Sequence, residues 1–280
     1  MSGEAEKTER AYVYMVRCAG GQLYTGWTND PASRLHAHKS GKGAKCTRAL
    51  GAQRFAYLER CTDKSAALRR EAALKKLTKA QKETLCAEWA EKNLPRLSLA
   101  TRADAAEILD IYNWYVLHHT ATFQVTPSSL PEYEDWVDST LIPLLLARDG
   151  DGKLLGYACA HRYHPREAYD WAVESTIYCA PDARGFGVGD TLYRALLDIL
   201  DGMGYWNVYA LVADPNPASE RIHARLGFTC VGREPHTAYK FGWLGLSTWW
   251  LPLRRGNEKP EPTHPLTQEQ VEEILGRYQA

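Results

Sequence analysis

The most informative run in this sequence is Arg184-Gly185-Phe186-Gly187-Val188-Gly189. It lies between a strand-like run, Trp171 to Cys179, and a run with helical spacing, Asp190 to Gly202. Main-chain N–H groups at a helix start have no partner within the helix, and glycines let a pyrophosphate approach them. The order Arg-x-x-Gly-x-Gly also differs from the GxGxxG fingerprint that follows the first strand of a dinucleotide-binding unit. A glycine-rich turn alone fits a plain loop equally well.

The residues around this stretch alternate between strand and helix patterns, which indicates an α/β or mixed α+β sheet domain. The spacing predicts helices at 103–115, 190–202 and 217–226, and strands at 144–147, 154–161, 171–179, 207–213 and up to about Leu253. Residues 256–265 predict a linker. Thr267 and Gln270 then predict a capping box at the start of a short C-terminal helix.

The first part of the chain has a different pattern. Residues 12–16 and 22–27 predict a hairpin, and helices follow at 31–38, with Asp30 as the N-cap, and at 65–77. Pro95 ends a polar segment before a new strand-like start at Leu97. The predicted organisation is a disordered N-terminus at 1–9, a first domain at 10–88, a linker at 89–96, a second domain at 97–254, and a linker with a short helix at 255–280.

The same two parts of the chain also differ in net charge. The whole sequence has no net charge, but the part before Pro95 carries 18 Lys and Arg against 10 Asp and Glu, and the rest carries 16 against 24. A basic first part favours contact with a polyanion. Seven scattered cysteines without a CxxC pair argue against a disulfide framework or structural zinc and suit a reducing cytoplasm. The strongest apolar run, 141–147, is too short to cross a membrane, so we expect no membrane partner.

Further motifs accompany the glycine-rich stretch in the second domain. They are Thr122-Phe123, Arg166-x-Ala168-Tyr169, Glu174-Ser175-x-Ile177-Tyr178, Asn216-x-x-Ser219-x-x-x-His223-x-x-x-Gly227-Phe228 and Tyr239-Lys240-Phe241-Gly242. With Arg184-x-x-Gly187-x-Gly189, this set resembles the GNAT acetyltransferase superfamily over residues 97–253, and within it the phosphinothricin or methionine sulfoximine acetyltransferase branch. The resemblance implies a mixed central sheet flanked by helices and an N-acetyltransferase acting on a small amino-acid-like amine.

The resemblance also implies acetyl-CoA as the acetyl donor. The main chain of Ile177 and Cys179 would pair with the pantetheine arm, and Asn216 and Ser219 match other cofactor-contacting positions. The pyrophosphate would be held by the N–H groups of Arg184, Gly185, Phe186, Gly187, Val188 and Gly189. An ammonium acceptor must lose a proton before it attacks the thioester, and Glu174 matches the branch's general base. An exposed strand face or a structural ion pair is the other explanation for Glu174.

Four more residues match positions near the acceptor or the leaving group. His223 falls where many members have a tyrosine that protonates the thiolate, and it either assists proton movement or hydrogen-bonds within the fold. Arg166 and Lys240 would pair with an acceptor carboxylate or be ordinary surface cations, and Phe123 would line the pocket or the core. Relatives are often dimers, so a homodimer through this domain is a candidate assembly that the sequence does not settle.

One departure from the branch concerns the acceptor. Where the branch continues Lys-Phe-Gly-Arg-Trp-Leu-Asp, this chain has Lys240-Phe241-Gly242-Trp243-Leu244-Gly245. An arginine and an acidic residue are therefore missing, which leaves acetyl transfer as the prediction but leaves the natural acceptor open.

The first domain has a motif set of its own. It comprises Tyr12-Val13-Tyr14, Tyr24-Thr25-Gly26, Arg34, His38-x-Ser40-Gly41-Lys42-Gly43-Ala44-Lys45 and Leu68-Arg69-x-Glu71. Each tyrosine alone is an ordinary strand residue. Together, from about Arg10 to Ala87, the set resembles the GIY-YIG nuclease family, which implies a small three-stranded sheet with helices.

Phosphodiester cleavage needs a base that activates water, a cation that stabilises the phosphorus centre, and a carboxylate-held metal near the leaving oxygen. The resemblance assigns these roles to Tyr24, Arg34 and Glu71, with Mg²⁺ or Mn²⁺ bound by Glu71. Tyr14 and His38 would position groups or relay protons.

Two substitutions and a basic loop bear on the partner of this domain. Lys39 replaces an asparagine of several relatives and Trp27 a lysine of some, changes that would weaken catalysis more than binding. Lys39, Lys42, Lys45 and Arg48 lie beside glycines, which suits either a loop that tracks the phosphates of DNA or a solvated basic loop.

Several functions therefore stay open. The chain is either an acetyltransferase fused to a metal-dependent endonuclease, or an acetyltransferase whose first domain only binds nucleic acid or another partner. A GNAT fold that senses coenzyme A without catalysis is a third hypothesis.

Overall fold

A computed structural model describes residues 11–183 and 187–278, and the chain divides into two units between Leu94 and Pro95. The elements of the first unit are β1 (Ala11–Cys18), β2 (Leu23–Thr28), α1 (Pro31–Lys39), α2 (Lys45–Leu50), β3 (Ala52–Cys61), α3 (Lys64–Lys76) and α4 (Lys79–Asn93). Those of the second are β4 (Arg96–Leu99), α5 (Ala105–His118), α6 (Leu130–Ser139), β5 (Leu145–Arg148), β6 (Leu154–Arg162), β7 (Ala172–Cys179), α7 (Val188–Gly202), β8 (Asn207–Asp214), α8 (Pro217–Leu226), β9 (Thr229–Tyr239), β10 (Trp243–Pro252) and α9 (Gln268–Gly276).

The first unit is built on an antiparallel sheet in the order β2-β1-β3. Alternate residues of a strand point to opposite faces, and in β1 Val13 and Met15 pack in a core with Leu74 and Cys86. Tyr14 therefore points to the other face of the sheet. A mixed, helix-bearing fold with a three-stranded sheet was predicted from the sequence and is confirmed.

The second unit contains a sheet in the order β4-β5-β6-β7-β8-β10-β9. Only the β7–β8 pair is parallel among the strand pairs that the structure describes. In β7, Ser175 bonds to Tyr193 of α7, whereas Tyr178 contacts Tyr112 and Tyr115 of α5. Because 175 and 178 lie on opposite faces of the strand, α7 and α5 cover opposite faces of the sheet. This is the predicted mixed sheet flanked by helices.

The predicted caps form as expected. The Asp30 carboxylate accepts from the Ser33 N–H at the start of α1, and Thr267 and Gln270 make a capping box at the start of α9. Helix α9 buries Val271, Ile274 and Leu275 against the core of the second unit. The C-terminal helix is therefore an integral part of this unit.

The structure differs from the sequence prediction between the units. The segment predicted as a linker, 89–96, is helical as far as Asn93, and β4 begins at Arg96. The Trp89 indole N–H donates to the Leu58 carbonyl at 2.7 Å, which ties this last turn of α4 to β3. Within the described part of the chain, no helix is long and apolar enough to span a membrane.

Candidate active sites

Two neighbouring strands of the larger sheet separate at one end. β7 and β8 pair at Ala172–Asn207, Val173–Val208 and Glu174–Tyr209. Beyond that point β7 continues to Cys179 along β6, and β8 continues to Asp214 along β10. In the described part of the sheet, the end of β7 thus has a strand on one side only. An extended ligand can pair with its other edge.

The first turn of α7 lies beside this end of β7. A Cβ atom placed on Gly189 would lie 3.4 Å from Cys179 Sγ and 3.7 Å from Ile177 Cδ1. Gly187 is the N-cap of α7 with a φ of +81°, a left-handed conformation that favours glycine. The N–H groups and dipole of a helix start favour an anion here. Arg184, Gly185 and Phe186 lie outside the described residues.

Glu174 lies where β7 and β8 begin to separate. Its side chain is 21% exposed, and its Oε2 atom is 3.5 Å from Nε2 of His161, its register partner on β6. On the other side its register partner is Tyr209 of β8, whose ring stacks on Tyr163 at a centroid distance of 4.2 Å. A carboxylate, an imidazole and two aromatic rings therefore meet at this point of the sheet.

His223 of α8 is buried and uses both ring nitrogens inside the fold. Its Nδ1 lies 2.8 Å from the Ser219 carbonyl, and its Nε2 lies 3.0 Å from the Tyr193 hydroxyl. Because a carbonyl only accepts, Nδ1 carries the proton, and Nε2 accepts from Tyr193. The Tyr193 oxygen is also 2.6 Å from Ser175 Oγ. Burial lowers the pKa of His223, and this outweighs the opposing effect of its bond to Ser219.

The first unit contains a second buried histidine, His38, whose two ring nitrogens are both hydrogen-bonded inside the fold. The Tyr14 hydroxyl is 2.8 Å from Nε2 of His38, and Nδ1 of His38 is 2.7 Å from Thr47 Oγ1. The Thr47 hydroxyl donates to the Ala44 carbonyl, so its oxygen accepts from Nδ1, and Nε2 accepts from Tyr14. Burial, and to a smaller extent the charge of Arg34, lowers the pKa of His38, which keeps its imidazole neutral.

The other residues predicted for the first site surround Tyr14. The Tyr24 ring lies 6.3 Å from that of Tyr14 and 5.2 Å from that of His38. Burial raises the pKa of Tyr14 strongly; Tyr24 and Glu71 raise it further, and Arg34 lowers it. All five predicted side chains are thus brought into one electrostatic neighbourhood. Gly26 makes room for it, because a Cβ there would lie 2.6 Å from the Tyr14 hydroxyl oxygen.

Glu71 is the predicted metal ligand, and its side chain is 14% exposed. Its Oε1 atom lies 2.6 Å from Nζ of Lys75, one helical turn later in α3. Among the residues that the structure describes, no three His, Cys, Asp or Glu side chains gather into a ready-made metal site. Mg²⁺ at phosphate sites commonly takes one or two carboxylates and completes its shell with water and phosphate oxygens. A single glutamate fits an ion of that kind, bound together with a phosphate.

Comparison with known proteins agrees with both geometries. The acetyltransferase (GNAT) family model matches residues 108–228, and the GIY-YIG catalytic domain model matches residues 10–84. The chain is 35% identical to phosphinothricin N-acetyltransferase of Streptomyces viridochromogenes, over 60% of this chain and 90% of that protein. It is 37% identical to the L-methionine sulfoximine/L-methionine sulfone acetyltransferase of Pseudomonas paraeruginosa, over 54% of this chain and 90% of that protein.

The chain belongs to the GNAT family of N-acetyltransferases. Its first unit is a GIY-YIG domain. Among solved structures, it is similar to a GNAT phosphinothricin acetyltransferase from Sinorhizobium meliloti in complex with acetyl-CoA. That likeness has a TM-score of 0.56 and 33% identity, and it covers 60% of this chain and 93% of the other.

Two further residues predicted to contact the cofactor lie at the start of α8 in the GNAT domain. The Asn216 side chain accepts from the Ser219 N–H at 3.2 Å and thereby caps this helix. Ser219 Oγ lies 3.3 Å from Nδ1 of His223. Both predicted residues therefore support the local fold, and any role in cofactor binding would be additional.

Lys240, predicted to bind the acceptor, is only 4% exposed, so it is not an ordinary surface cation. Its ammonium donates to the carbonyls of Thr122, at 2.9 Å, and Tyr115, at 3.2 Å. Burial lowers its pKa. It also lines a cavity of about 230 Å³ together with Val116, Val125, Tyr239 and Phe241.

The other two predicted acceptor residues lie nearer the surface. Phe123 is 38% exposed and follows Thr122, the residue whose carbonyl binds Lys240. Arg166 is exposed and lies just before the short turn Glu167–Tyr169 between β6 and β7. The structure thus brings Lys240 close to the segment that carries Phe123, and it places Arg166 in a separate loop.

Sequence reasoning missed four residues that the geometry singles out: His161, Tyr193, Thr47 and Lys75. Lys75 follows Glu71 by four residues in a helix, a spacing that the sequence alone could have identified as an ion pair. Tyr193 lies 30 residues from His223 and Thr47 nine residues from His38, each on a different helix from its partner, and His161 lies on a different strand from Glu174. Only the helix packing or the strand register brings these pairs together.

Proposed function

We propose that the GNAT domain transfers the acetyl group of acetyl-CoA to the amino group of a small amino-acid-like acceptor of the phosphinothricin or methionine sulfoximine type. The observation that carries the proposal is the separation of β7 from β8 directly beside the start of α7. This arrangement offers a strand edge to an extended amide-containing arm and a helix start to a diphosphate. Acetyl-CoA has both, and it would supply the activated acetyl thioester.

The chain's own groups would hold the cofactor in two places. The main chain of Ile177 and Cys179 would pair with the pantetheine arm, and the Tyr115 hydroxyl, which donates to the Cys179 carbonyl at 2.7 Å, would fix that end of the strand. Gly187, Val188 and Gly189 would present N–H groups to the diphosphate, together with Arg184, Gly185 and Phe186. Asn216 and Ser219 would contact the cofactor from the start of α8.

Glu174 would act as the general base. The acceptor's amino group is an ammonium at neutral pH, and it becomes a nucleophile only after it gives up a proton. The partly exposed Glu174 carboxylate lies at the point where the thioester end of an arm paired with β7 would lie. His223, with both ring nitrogens bound inside the fold, would support the site through Tyr193 and Ser175.

Acceptor recognition would involve Lys240, Phe123 and Arg166. The buried Lys240 ammonium has a third N–H beyond the two that bind carbonyls, and a carboxylate near it would form a charge-assisted hydrogen bond. Phe123 would contribute apolar surface nearby. Arg166, in the exposed β6–β7 loop, would pair with a carboxylate or phosphinate that enters from that side.

The test uses the full-length chain, acetyl-CoA and an acceptor panel that includes methionine sulfoximine and phosphinothricin, with release of free thiol as the readout. We expect Glu174→Gln to lower kcat about a hundredfold while the affinity for coenzyme A, measured by calorimetry, stays within about twofold. The exposed Glu167, changed to Gln, is the matched control and should retain full activity. Tight coenzyme A binding without transfer to any acceptor would favour the sensor hypothesis.

For the GIY-YIG domain we propose metal-dependent cleavage of nucleic acid. Tyr24 would accept a proton from water, Arg34 would stabilise charge at phosphorus, and Glu71 would hold Mg²⁺ or Mn²⁺. Tyr14 and His38 would position these groups. The gathering of all five side chains around Tyr14 supports this proposal.

The alternative is a domain that binds DNA or another partner without cleaving it. The ring of Trp27, where some relatives have lysine, lies 5.4 Å from the Lys64 ammonium, so a cation is present beside this position but on another element. Full-length protein is incubated with branched and single-stranded DNA and Mg²⁺ or Mn²⁺, alongside Glu71→Gln and the exposed control Glu88→Gln. Cleavage lost only in Glu71→Gln supports the nuclease; retained DNA binding with no cleavage in any variant supports the alternative.

We also propose a cytoplasmic location and a homodimer formed through the GNAT domain. All seven cysteines are free thiols, which suits a reducing compartment. Tyr239, Phe241 and Trp243, at the turn between β9 and β10, are each more than 60% exposed and would be covered by a second copy. Sedimentation analysis of wild type and of Phe241→Ser tests the dimer, and a wild-type monomer at micromolar concentration would contradict it.

A further inference from the structure

His161 and Glu174 form a cross-strand pair between β6 and β7. They are register partners on antiparallel strands, and 3.5 Å separates Nε2 from Oε2. Side chains at such positions start about 5 Å apart, so the backbone itself keeps them together. The proximity therefore does not depend on the ordering of long flexible side chains.

The pair lies where this face of the sheet changes from buried to solvent-exposed. On this face of β6, Tyr157 and Cys159 are 1% and 5% exposed, whereas the His161 side chain is 57% exposed. Glu174 is 21% exposed. The imidazole thus has the candidate base on one side and solvent on the other, and a proton leaving Glu174 has a short way out through it.

Other titratable groups near Glu174 do not offer the same route. Burial, with a contribution from the charge of Glu174, raises the pKa of the Cys159 thiol to about 12. Burial raises the pKa of Tyr209, and neighbouring tyrosines Tyr163 and Tyr169 add to the effect. Both groups therefore keep their own protons near pH 7 and cannot take up one from Glu174.

The charged residue next to His161 on β6 is also excluded as a route for the proton of Glu174. Arg162 follows His161 directly and therefore points to the opposite face of the strand, where it pairs with Asp170. Among the described neighbours of Glu174 named above, the imidazole of His161 thus combines contact with Glu174 and exposure to solvent.

We propose that His161 is a positioning residue for acetyl transfer, which orients the Glu174 carboxylate and passes its proton to solvent. The inference rests on the proposed function of the GNAT domain. The acceptor ammonium gives one proton to Glu174, Glu174 gives it to Nε2 of His161, and the imidazolium releases one from its other nitrogen. The amine then forms the C–N bond as the C–S bond breaks. The second proton that the nitrogen loses balances the one that the leaving thiolate takes up.

The experiment compares His161→Asn and His161→Ala with wild type in the full-length chain, using an acceptor that the wild type acetylates. His118→Asn is the matched control, because His118 is an exposed histidine of α5 beside Trp114. We expect kcat at pH 7 to fall about tenfold in both His161 variants. The KM for the acceptor and the affinity for coenzyme A should stay within about twofold. Added imidazole should restore part of the rate in His161→Ala, and the dependence of kcat on pH should change.

Three results would overturn the inference. The first is an unchanged kcat and pH profile in His161→Asn. The second is a loss of rate that imidazole does not rescue and that leaves the pH profile intact, since that describes a structural role only. The third is the same tenfold loss when His161→Asn is made on top of Glu174→Gln, because a relay that acts through Glu174 has no effect without it. If the wild type acetylates no acceptor, the proposed function fails first, and that outcome is separate from these three.

Discussion

His38 in the GIY-YIG domain and His223 in the GNAT domain are buried in nearly the same way. Each is at most 3% exposed, each accepts a tyrosine hydroxyl at Nε2, and burial lowers the pKa of each. Their surroundings differ. The tyrosine bound to His38 lies among Tyr24, Arg34 and Glu71, whereas the tyrosine bound to His223 meets the hydroxyl of a buried serine.

The difference shows that a tyrosine–histidine hydrogen bond does not define a catalytic site by itself. In the GIY-YIG domain the tyrosine–histidine hydrogen bond lies beside side chains of the kinds that bind a phosphate and a metal. In the GNAT domain the hydrogen bonds of His223 and Tyr193 connect α8, α7 and β7. The features proposed to bind the cofactor, a strand edge and a helix start, lie beside them. The first pair is expected to matter for rate and the second for stability.

Replacing the tyrosine of each pair by phenylalanine should separate the two pairs most strongly. Tyr14→Phe should lower the rate of DNA cleavage about a hundredfold, because it removes the hydroxyl that connects His38 to the site. Tyr193→Phe should leave kcat for acetyl transfer within about twofold. Cleavage of labelled DNA and thiol release are measured on the same two preparations, so each variant is the folding control for the other domain. Equal effects on the two rates would abolish the distinction.

The histidine–tyrosine pair of the GNAT domain should instead matter for the stability of that domain. His223→Leu removes the acceptor of the Tyr193 hydroxyl and the N–H that reaches the Ser219 carbonyl, while the Tyr193 oxygen keeps its contact with Ser175 Oγ. It should lower the free energy of unfolding by about 2–4 kcal/mol. Adding Tyr193→Phe should recover part of this loss, because the buried hydroxyl that lost its acceptor at His223 is then gone. Urea unfolding, followed by hydrogen exchange of α7 peptides, measures this domain. A double variant less stable than the single one would contradict the assignment.

The same histidine predicts a pH dependence. Burial places the folded pKa of His223 below its unfolded value of about 6.5, so the unfolded chain binds the extra proton first. The contribution of neutral His223 is complete above that pH and is lost as the pH falls toward the folded pKa, by at most about 1.4 kcal/mol per pH unit. Unfolding of the GNAT domain at pH 7.5 and 5.5 measures it. His223→Leu should show a shallower dependence, and an unchanged slope would exclude His223 as its source.

How well the sequence predicted these sites depends on how far apart along the chain the contacting residues lie. Motif spacing identified His38, Tyr14 and Tyr24, which lie on a local hairpin and the helix after it. It could not assign His223 to one of its two roles, because the role depends on Tyr193, 30 residues away on another helix. His161 became visible only through the β6–β7 register. The structure likewise shows that α4 runs to Asn93, into the segment predicted as a linker, where the Trp89 indole binds the Leu58 carbonyl.

The smallest expected difference concerns the atom that anchors each Nδ1. His38 is anchored by a side-chain hydroxyl, Thr47 Oγ1, whereas His223 is anchored chiefly by a main-chain carbonyl that mutation cannot remove. Thr47→Val should therefore lower the stability of the GIY-YIG domain by about 1 kcal/mol, with Thr47→Ser restoring it. Ser219→Ala should change the stability of the GNAT domain by less than about 0.5 kcal/mol. Denaturant midpoints for the two domains measure both effects, and a larger loss in Ser219→Ala than in Thr47→Val would show that the serine hydroxyl, 3.3 Å from Nδ1, is the true anchor.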